Sequence, residues 1–286
     1  MTSYSSLPEG STDPRDANLV IRELLPGMIT FSQPFVSVTL AHHCGVPSIS
    51  NIAQSRFGVV PIGGRSTAIR VNDGIFVYVS HPYTTATAEA LKQLGGEVKW
   101  LVTPDGEHGM NIGAWAEQFP EAKAIGVSRF EKAKPNVKWA GLFGAGGEDK
   151  TYGFEPEISL HQVSAHVNDE LTAIHHPSGT LLEADLLFNL PPKEQYSRAG
   201  GLTFFSRLLG GSFSPDGSLH KSAIGSLVAK PDLAKKELAP IFAAKWDRLV
   251  PCHGDVIETG GKEAWTKLYG QFHTPATPPA DDPAKL

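Results

Sequence analysis

Apolar positions along this chain recur with two periods. Residues 28–40 carry β-branched and aromatic side chains in a strand-like pattern, Met28-Ile29-Thr30-Phe31 and then Phe35-Val36-Ser37-Val38-Thr39-Leu40. Residues 58–71 and 75–80 form two further apolar runs, and the Asn72-Asp73-Gly74 between them has the chemistry of a hairpin turn. The period then lengthens. Ala86, Ala90, Leu91 and Leu94 share one face of a helix predicted over residues 85–94, which Gly95-Gly96 ends. A strand over 98–102, a helix over about 112–119 and a strand over 124–127 continue a β-then-α alternation, the signature of an α/β sheet.

From about residue 140 the pattern restarts. Residues 158–163 read as a strand, and 171–176 with 180–185 read as a second hairpin around Pro177-Ser178-Gly179. Residues 189–227 form an irregular insertion with Phe204, Phe205, Leu208, Leu209 and Phe213, a composition that suits a pocket wall or lid as well as plain packing. A helix over about 232–244, a strand over 248–250 and a helix over 261–272 complete the second half. The chain therefore reads as hairpin then α/β, twice over, in a single domain spanning 26–273. Residues 1–25, rich in Ser, Pro, Asp and Gly, read as a mobile leader, and 274–286 as a flexible polar tail.

Composition narrows the function classes. A chain of 286 residues, 41% hydrophobic, is long enough to bury an enzyme-sized core. Its net charge of -5 comes without a basic block, which argues against nucleic acid or an anionic membrane surface as partner and leaves a small-molecule substrate. Two cysteines, Cys44 and Cys252, cannot build a disulfide framework, and the N-terminus lacks a basic start and an apolar core, so an intracellular, cytoplasmic compartment is expected. No apolar run reaches the length of about 18 residues that a spanning helix needs. The last three residues, Ala284-Lys285-Leu286, are similar to the Ser-Lys-Leu address that directs proteins to the peroxisome.

Candidate chemistry begins where the strand at 98–102 stops. Thr103-Pro104-Asp105-Gly106-Glu107-His108 releases two carboxylates and an imidazole within four residues, at a strand-to-helix loop. Such a loop can bring neighbouring side chains onto a divalent cation, while an acidic surface turn with a stray histidine is the plainer alternative. His166, Asp185 and His253 each follow an apolar run as well, so strands sharing a sheet would carry them to one rim, where α/β proteins bind ligands. Other histidines read as structural. Adjacent His42 and His43, next to Cys44, point apart on an extended chain; His161, His175 and His176 read as non-ligands. His81 sits at a strand end after Ser80, and Cys252 reads as a soft ligand or as a small buried apolar residue. No Gly-x-Ser-x-Gly, Walker-type Gly-Lys-Ser/Thr or Gly-x-Gly-x-x-Gly occurs, which removes the serine-hydrolase, P-loop and dinucleotide readings.

The order of these motifs, spanning about 55–270, resembles the metallo-β-lactamase superfamily, and Asp185-Leu186-Leu187-Phe188-Asn189 with Pro251-Cys252-His253-Gly254-Asp255 is similar to fungal uncharacterised proteins of that type. The resemblance implies a four-layer αββα sandwich and one or two divalent ions, zinc first, with iron or manganese as alternatives. It departs from this sequence in the first motif. Carried over position by position, the family's first histidine is Thr103, its second is Asp105, its aspartate is Glu107 and its last histidine is His108. One implied ion site then keeps Asp105, His166 and a bridging Asp185, and the other keeps Glu107, His108, Asp185 and His253. The function implied is a metal-dependent hydrolase of an ester, lactone or thioester, with Asp105 or Glu107 taking a proton. An oxidoreductase with non-haem iron and a metal-free binding protein are the two other readings.

Overall fold

The computed structural model describes residues 11–34, 62–200, 202 and 211–273. The strand expected over 35–40, the His42-His43-Cys44 cluster, residues 58–61, Phe204, Phe205, Leu208, Leu209 and the C-terminal Ala284-Lys285-Leu286 lie outside the described residues.

Seven strands form one sheet in chain order: β1 (Val20–Leu25), β2 (Met28–Pro34), β3 (Gly63–Val71), β4 (Gly74–Tyr78), β5 (Val98–Val102), β6 (Lys123–Val127) and β7 (Trp139–Phe143). Strands β1 to β4 pair antiparallel, and β4 to β7 pair parallel through helical crossovers. Residues 14–25, which composition assigns to the leader, instead make a short 3-10 turn at Pro14–Asn18 and the edge strand β1, where Leu19 and Ile21 are buried. A second sheet has the order β11 (Arg248–Pro251), β10 (Thr180–Glu183), β9 (Glu170–His175), β8 (Ile158–Val163).

Alternation along the strands makes the layers. In β4, Phe76 and Tyr78 join Trp100 and Val102 of β5 on the inner face, where they meet Leu171 and Ala173 of β9, Leu182 of β10 and Val250 of β11. Ile75 and Val77 point the other way, onto helices α1 (Thr85–Leu94) and α2 (Ile112–Gln118). The second sheet likewise turns Ile174, Leu181 and Leu249 outward, under α4 (Ser218–Leu227), α5 (Pro231–Ala243) and α6 (Gly261–Tyr269). A one-turn helix, α3 (Phe130–Ala133), follows β6. Helices, sheet, sheet and helices thus stack as αββα, because strands buried on both faces read as unbroken apolar runs. No helix among the described residues is long and apolar enough to cross a membrane.

Helix α1 shows how local chemistry sets an element. The Thr84 hydroxyl accepts a hydrogen bond from the Thr87 amide at 3.2 Å, the apolar stripe of Ala86, Ala90, Leu91 and Leu94 is buried, and the chain leaves at Gly95 with φ of 75°.

Strand direction places the site. The C-terminal ends of β8, β10 and β11 share one edge of their sheet with the start of β9, and the C-terminal end of β5 lies opposite. Two backbone bonds tie the edges together: Leu171 N–H to Pro104 O at 2.7 Å, and Gly106 N–H to Asn168 O at 2.8 Å.

Candidate metal centre

Strand β5 ends at Val102, and Thr103 continues its pairing: its amide donates to Ile125 O at 3.0 Å and its hydroxyl to the same carbonyl at 3.3 Å. Thr103 is fully buried and committed to β6, so this hydroxyl is a strand group. Pro104 then breaks the ladder and Asp105 folds the loop. Its Oδ1 accepts from the amides of Glu107 and His108, both at 2.7 Å, and from His108 Nδ1 at 2.9 Å. One carboxylate oxygen therefore shapes the loop and orients the imidazole.

Because a carboxylate only accepts, His108 carries its proton on Nδ1, and Nε2 faces inward with a lone pair. His253, in the loop after β11, has the same arrangement: its Nδ1 donates to Gly63 O at 2.6 Å. The two Nε2 atoms stand 3.1 Å apart, and His253 Nε2 is also 3.1 Å from Asp185 Oδ1. Ligand atoms of His108, Asp185 and His253 all lie within 4.8 Å of one another. Lone pairs gathered this closely repel unless a proton or metal cation sits among them. Nearby, Asp105 Oδ2 and His166 Nε2 are buried with no hydrogen-bond partner among the described residues. Unpartnered buried polar atoms of this kind are costly; a divalent cation would satisfy the Asp105 oxygen directly, and the His166 nitrogen once the ring proton moves to Nδ1, which here accepts from the Asn168 amide at 3.4 Å. The donor set of imidazoles and carboxylates fits such an ion.

Charge is distributed to match. Burial alone would raise the Asp185 carboxyl, but the imidazoles of His108, His253 and His166 outweigh it and hold the group well below the ordinary carboxylate range. Without a cation, burial opposes charge on His108, yet Asp105, Asp185 and Glu107 together push it up to about 9, so that a proton then sits on the inward Nε2 in the place a metal ion would take. For His166 burial wins over the attraction of Asp185 and Asp105, so its pKa is lowered and it stays neutral. The other Asp185 oxygen, Oδ2, is held by Asn168 Nδ2 at 2.5 Å, which leaves Oδ1 for the cluster.

Glu107 is not brought to this group. Its side chain is about half exposed (54%) and pairs with Arg129 at 3.4 Å, because the Asp105 turn directs position 107 outward. Sequence reasoning placed Glu107 among the ligands and proton acceptors, and the geometry sets it at the rim. Four other described histidines are occupied elsewhere. His81 Nε2 meets Thr87 Oγ1 at 2.9 Å, and its ring packs on Phe31 and Trp115 in the outer core. His161 and His176 both contact Ser159 Oγ, at 2.8 and 2.9 Å, and His175 contacts Ser178 Oγ at 2.7 Å. Cys252 packs in the inter-sheet core, where burial and nearby carboxylates push its thiol pKa up.

Several supports of the site carry no sequence signal. Arg65 is buried and its Nη1 donates to Pro251 O and Gly254 O, both at 2.7 Å, clamping the two ends of the His253 loop. Gln195 holds the same loop through Cys252 O at 2.7 Å and Gly254 N–H at 3.0 Å. Phe188 stacks on the His253 ring with centroids 5.4 Å apart. Each of these depends on the loop path through space.

No family model matches the chain, and no curated protein matches it at a significant level. Solved structures do. A metallo-β-lactamase from Pontibacter korlensis superposes with a TM-score of 0.50 at 13% identity, covering 89% of this chain and 98% of that one. A metallo-β-lactamase from Hirschia baltica gives 0.50 at 9% identity over 90% and 99% of the two chains. A flavodiiron core from Synechocystis gives 0.53 at 12% identity over 89% and 60%. The chain has the metallo-β-lactamase fold, and its His-Asp-His group stands at the sheet edges of that fold.

Proposed function

We propose that this protein is a metal-dependent hydrolase that cleaves an ester, lactone or thioester of a small molecule. The observation that carries the reading is the convergence of His108, Asp185 and His253 within 4.8 Å. His108 and His253 would hold the ion through Nε2 and Asp185 through Oδ1, with His166 Nε2 and Asp105 Oδ2 completing the donors. Such a set suits zinc first, and iron or manganese as its oxygen content is weighed more heavily. A bound ion of this class lowers the pKa of water from about 15.7 towards about 7 and polarises a carbonyl.

The chain's own residues do the rest. Gly63 O and Asp105 Oδ1 fix the tautomers of His253 and His108, so each presents a lone pair inward. Asn168 turns Asp185 so that a single oxygen faces the cluster. Asp105 Oδ2, buried and unpartnered among the described residues, would take a proton wherever it does not itself hold the ion. Burial of Asp105, His108 and His253 strengthens the electrostatic contacts among them. Replacing His166 and His253 together by Ala should abolish both metal binding and hydrolysis of a panel of esters, lactones and thioesters; full activity in the double variant overturns the reading.

One observation favours a second reading. Asp105 puts a carboxylate at the second position of the first motif, as in di-iron members of this fold, and a non-haem iron oxidoreductase would use that oxygen donor. Metal analysis separates the two: iron with a visible absorption band supports the oxidoreductase, zinc the hydrolase.

A further inference from the structure

Strand β10 ends at Glu183, and from Ala184 to Leu187 the backbone leaves the sheet to carry Asp185 into the cluster. This turn runs through apolar surroundings: Ala184, Leu186 and Leu187 are all fully buried. Its amides have no water to turn to, and an unpaired buried amide costs about 1–3 kcal/mol. Two buried carboxylates answer them. Glu170 at the start of β9 reaches across with both oxygens, Oε1 accepting from the Ala184 amide at 2.5 Å and Oε2 from the Asp185 amide at 2.9 Å. Glu183 Oε2 accepts from the Leu187 amide at 2.9 Å. Glu170 itself is fully buried and contributes no atom to the gathered ligand group.

We infer that Glu170 is a positioning residue for the proposed metal centre: its carboxylate grips two consecutive amides and thereby sets where Asp185 stands. The inference rests on the metal reading given above. The same five-residue stretch controls Asp185 twice, since Asn168 fixes its carboxylate while Glu170 fixes its main chain. Strand β9 and the loop before it therefore act as one template, with His166 as donor, Asn168 as side-chain holder and Glu170 as main-chain holder. A carboxyl group suits the task because it presents two oxygens side by side to two consecutive N–H groups, and it does so although burial and the nearby Glu183, Asp105 and Asp185 raise its pKa well above the ordinary carboxylate range. An amide cannot replace it: one end of Gln would aim its own N–H at a backbone N–H.

The test is cobalt(II) binding to the full chain, read by competition with a chelating dye and by the ligand-field absorption bands of the bound ion. Wild type is compared with Glu170→Gln and with Leu238→Ala, a fully buried apolar residue of α5 that offers the cluster no ligand atom or hydrogen bond. Glu170→Gln should weaken cobalt binding about tenfold to a hundredfold and shift the absorption bands. Leu238→Ala should lower the thermal midpoint and leave both readouts unchanged. Glu170→Asp, which keeps the carboxyl group but withdraws the oxygens by one methylene, should also lose affinity, and serves if Glu170→Gln does not fold. Wild-type affinity and bands in either Glu170 variant, or an equal loss in Leu238→Ala, overturn the positioning role. Failure of wild type itself to bind cobalt overturns the metal reading, and the positioning role with it.

Discussion

At the scale of single residues, the centre depends on which nitrogen of each imidazole bears the proton. Gly63 O and Asp105 Oδ1 both take Nδ1–H, which turns the two Nε2 lone pairs towards each other at 3.1 Å. Asp185 enters the same space only because Asn168 restrains its second oxygen. Asn168→Ala should therefore weaken metal binding about tenfold to a hundredfold, as competition with a chelating dye would read; an unchanged affinity would contradict the role given to this contact. Asp185 and His253 were legible as candidates because each stands two residues past an apolar strand, and His108 because it shares the short loop after β5 with two carboxylates. Glu107 was misplaced because spacing alone does not reveal that Asp105 uses an oxygen to bend the loop and expel the next side chain. Asn168 and Glu170 were not legible at all, since an Asn two residues and a Glu four residues beyond a histidine are ordinary loop and strand composition.

At the scale of elements, most of the core followed from periodicity. Helix α1 and strands β5 and β8 occupy the ranges expected, because each has an unbroken apolar run or stripe between turn residues. Strand β1 was missed: its Arg22 and Glu23 interrupt the run, and only pairing with β2 and burial of Ile21 make it a strand. The final loop shows what holds an element in place without a sequence signature. Arg65 joins Pro251 O, Gly254 O, Ser32 Oγ and Glu194 in one buried set of bonds. Arg65→Met should destabilise the fold by about 2–6 kcal/mol, because Pro251 O and Gly254 O would be left buried without their donor while Glu194 keeps Arg22 but loses this second guanidinium, and a denaturant titration would measure it. A loss below about 1 kcal/mol would mean that the clamp is replaceable. Gly254 adds a second constraint: at φ of 103°, a Cβ would stand 2.2 Å from Asn189 O. Gly254→Ala should consequently lower the thermal midpoint and weaken metal binding together, since the strained residue adjoins His253.

At the scale of the whole molecule, buried histidines set the response to acid. Burial lowers His81 to about 3, and His161 and His220 to about 4, from an ordinary value of 6.5. The folded chain keeps these rings neutral while the unfolded chain takes up protons as pH falls through 6.5. Their contribution to stability is thus complete above that value and is lost progressively as pH drops towards 4 and then 3. The thermal midpoint of the metal-free protein should fall between about pH 7 and about pH 5, and His81→Gln should flatten part of that slope; a midpoint independent of pH would contradict it. The two-sheet architecture was legible because the pattern of hairpin then α/β repeats along the chain. How the two sheet edges close on each other was not, for that depends on bonds such as Gly106 N–H to Asn168 O between residues 62 positions apart.

Metal content tests the account most directly. Protein purified without added metal, dialysed and analysed by elemental mass spectrometry, should carry at least one equivalent of a transition metal, with zinc favouring the hydrolase. His108→Ala combined with His253→Ala should carry none, and a chelator should lower the thermal midpoint of wild type alone. Wild type without stoichiometric metal, and with a midpoint indifferent to the chelator, would contradict the proposed centre and leave a binding protein that keeps only the fold.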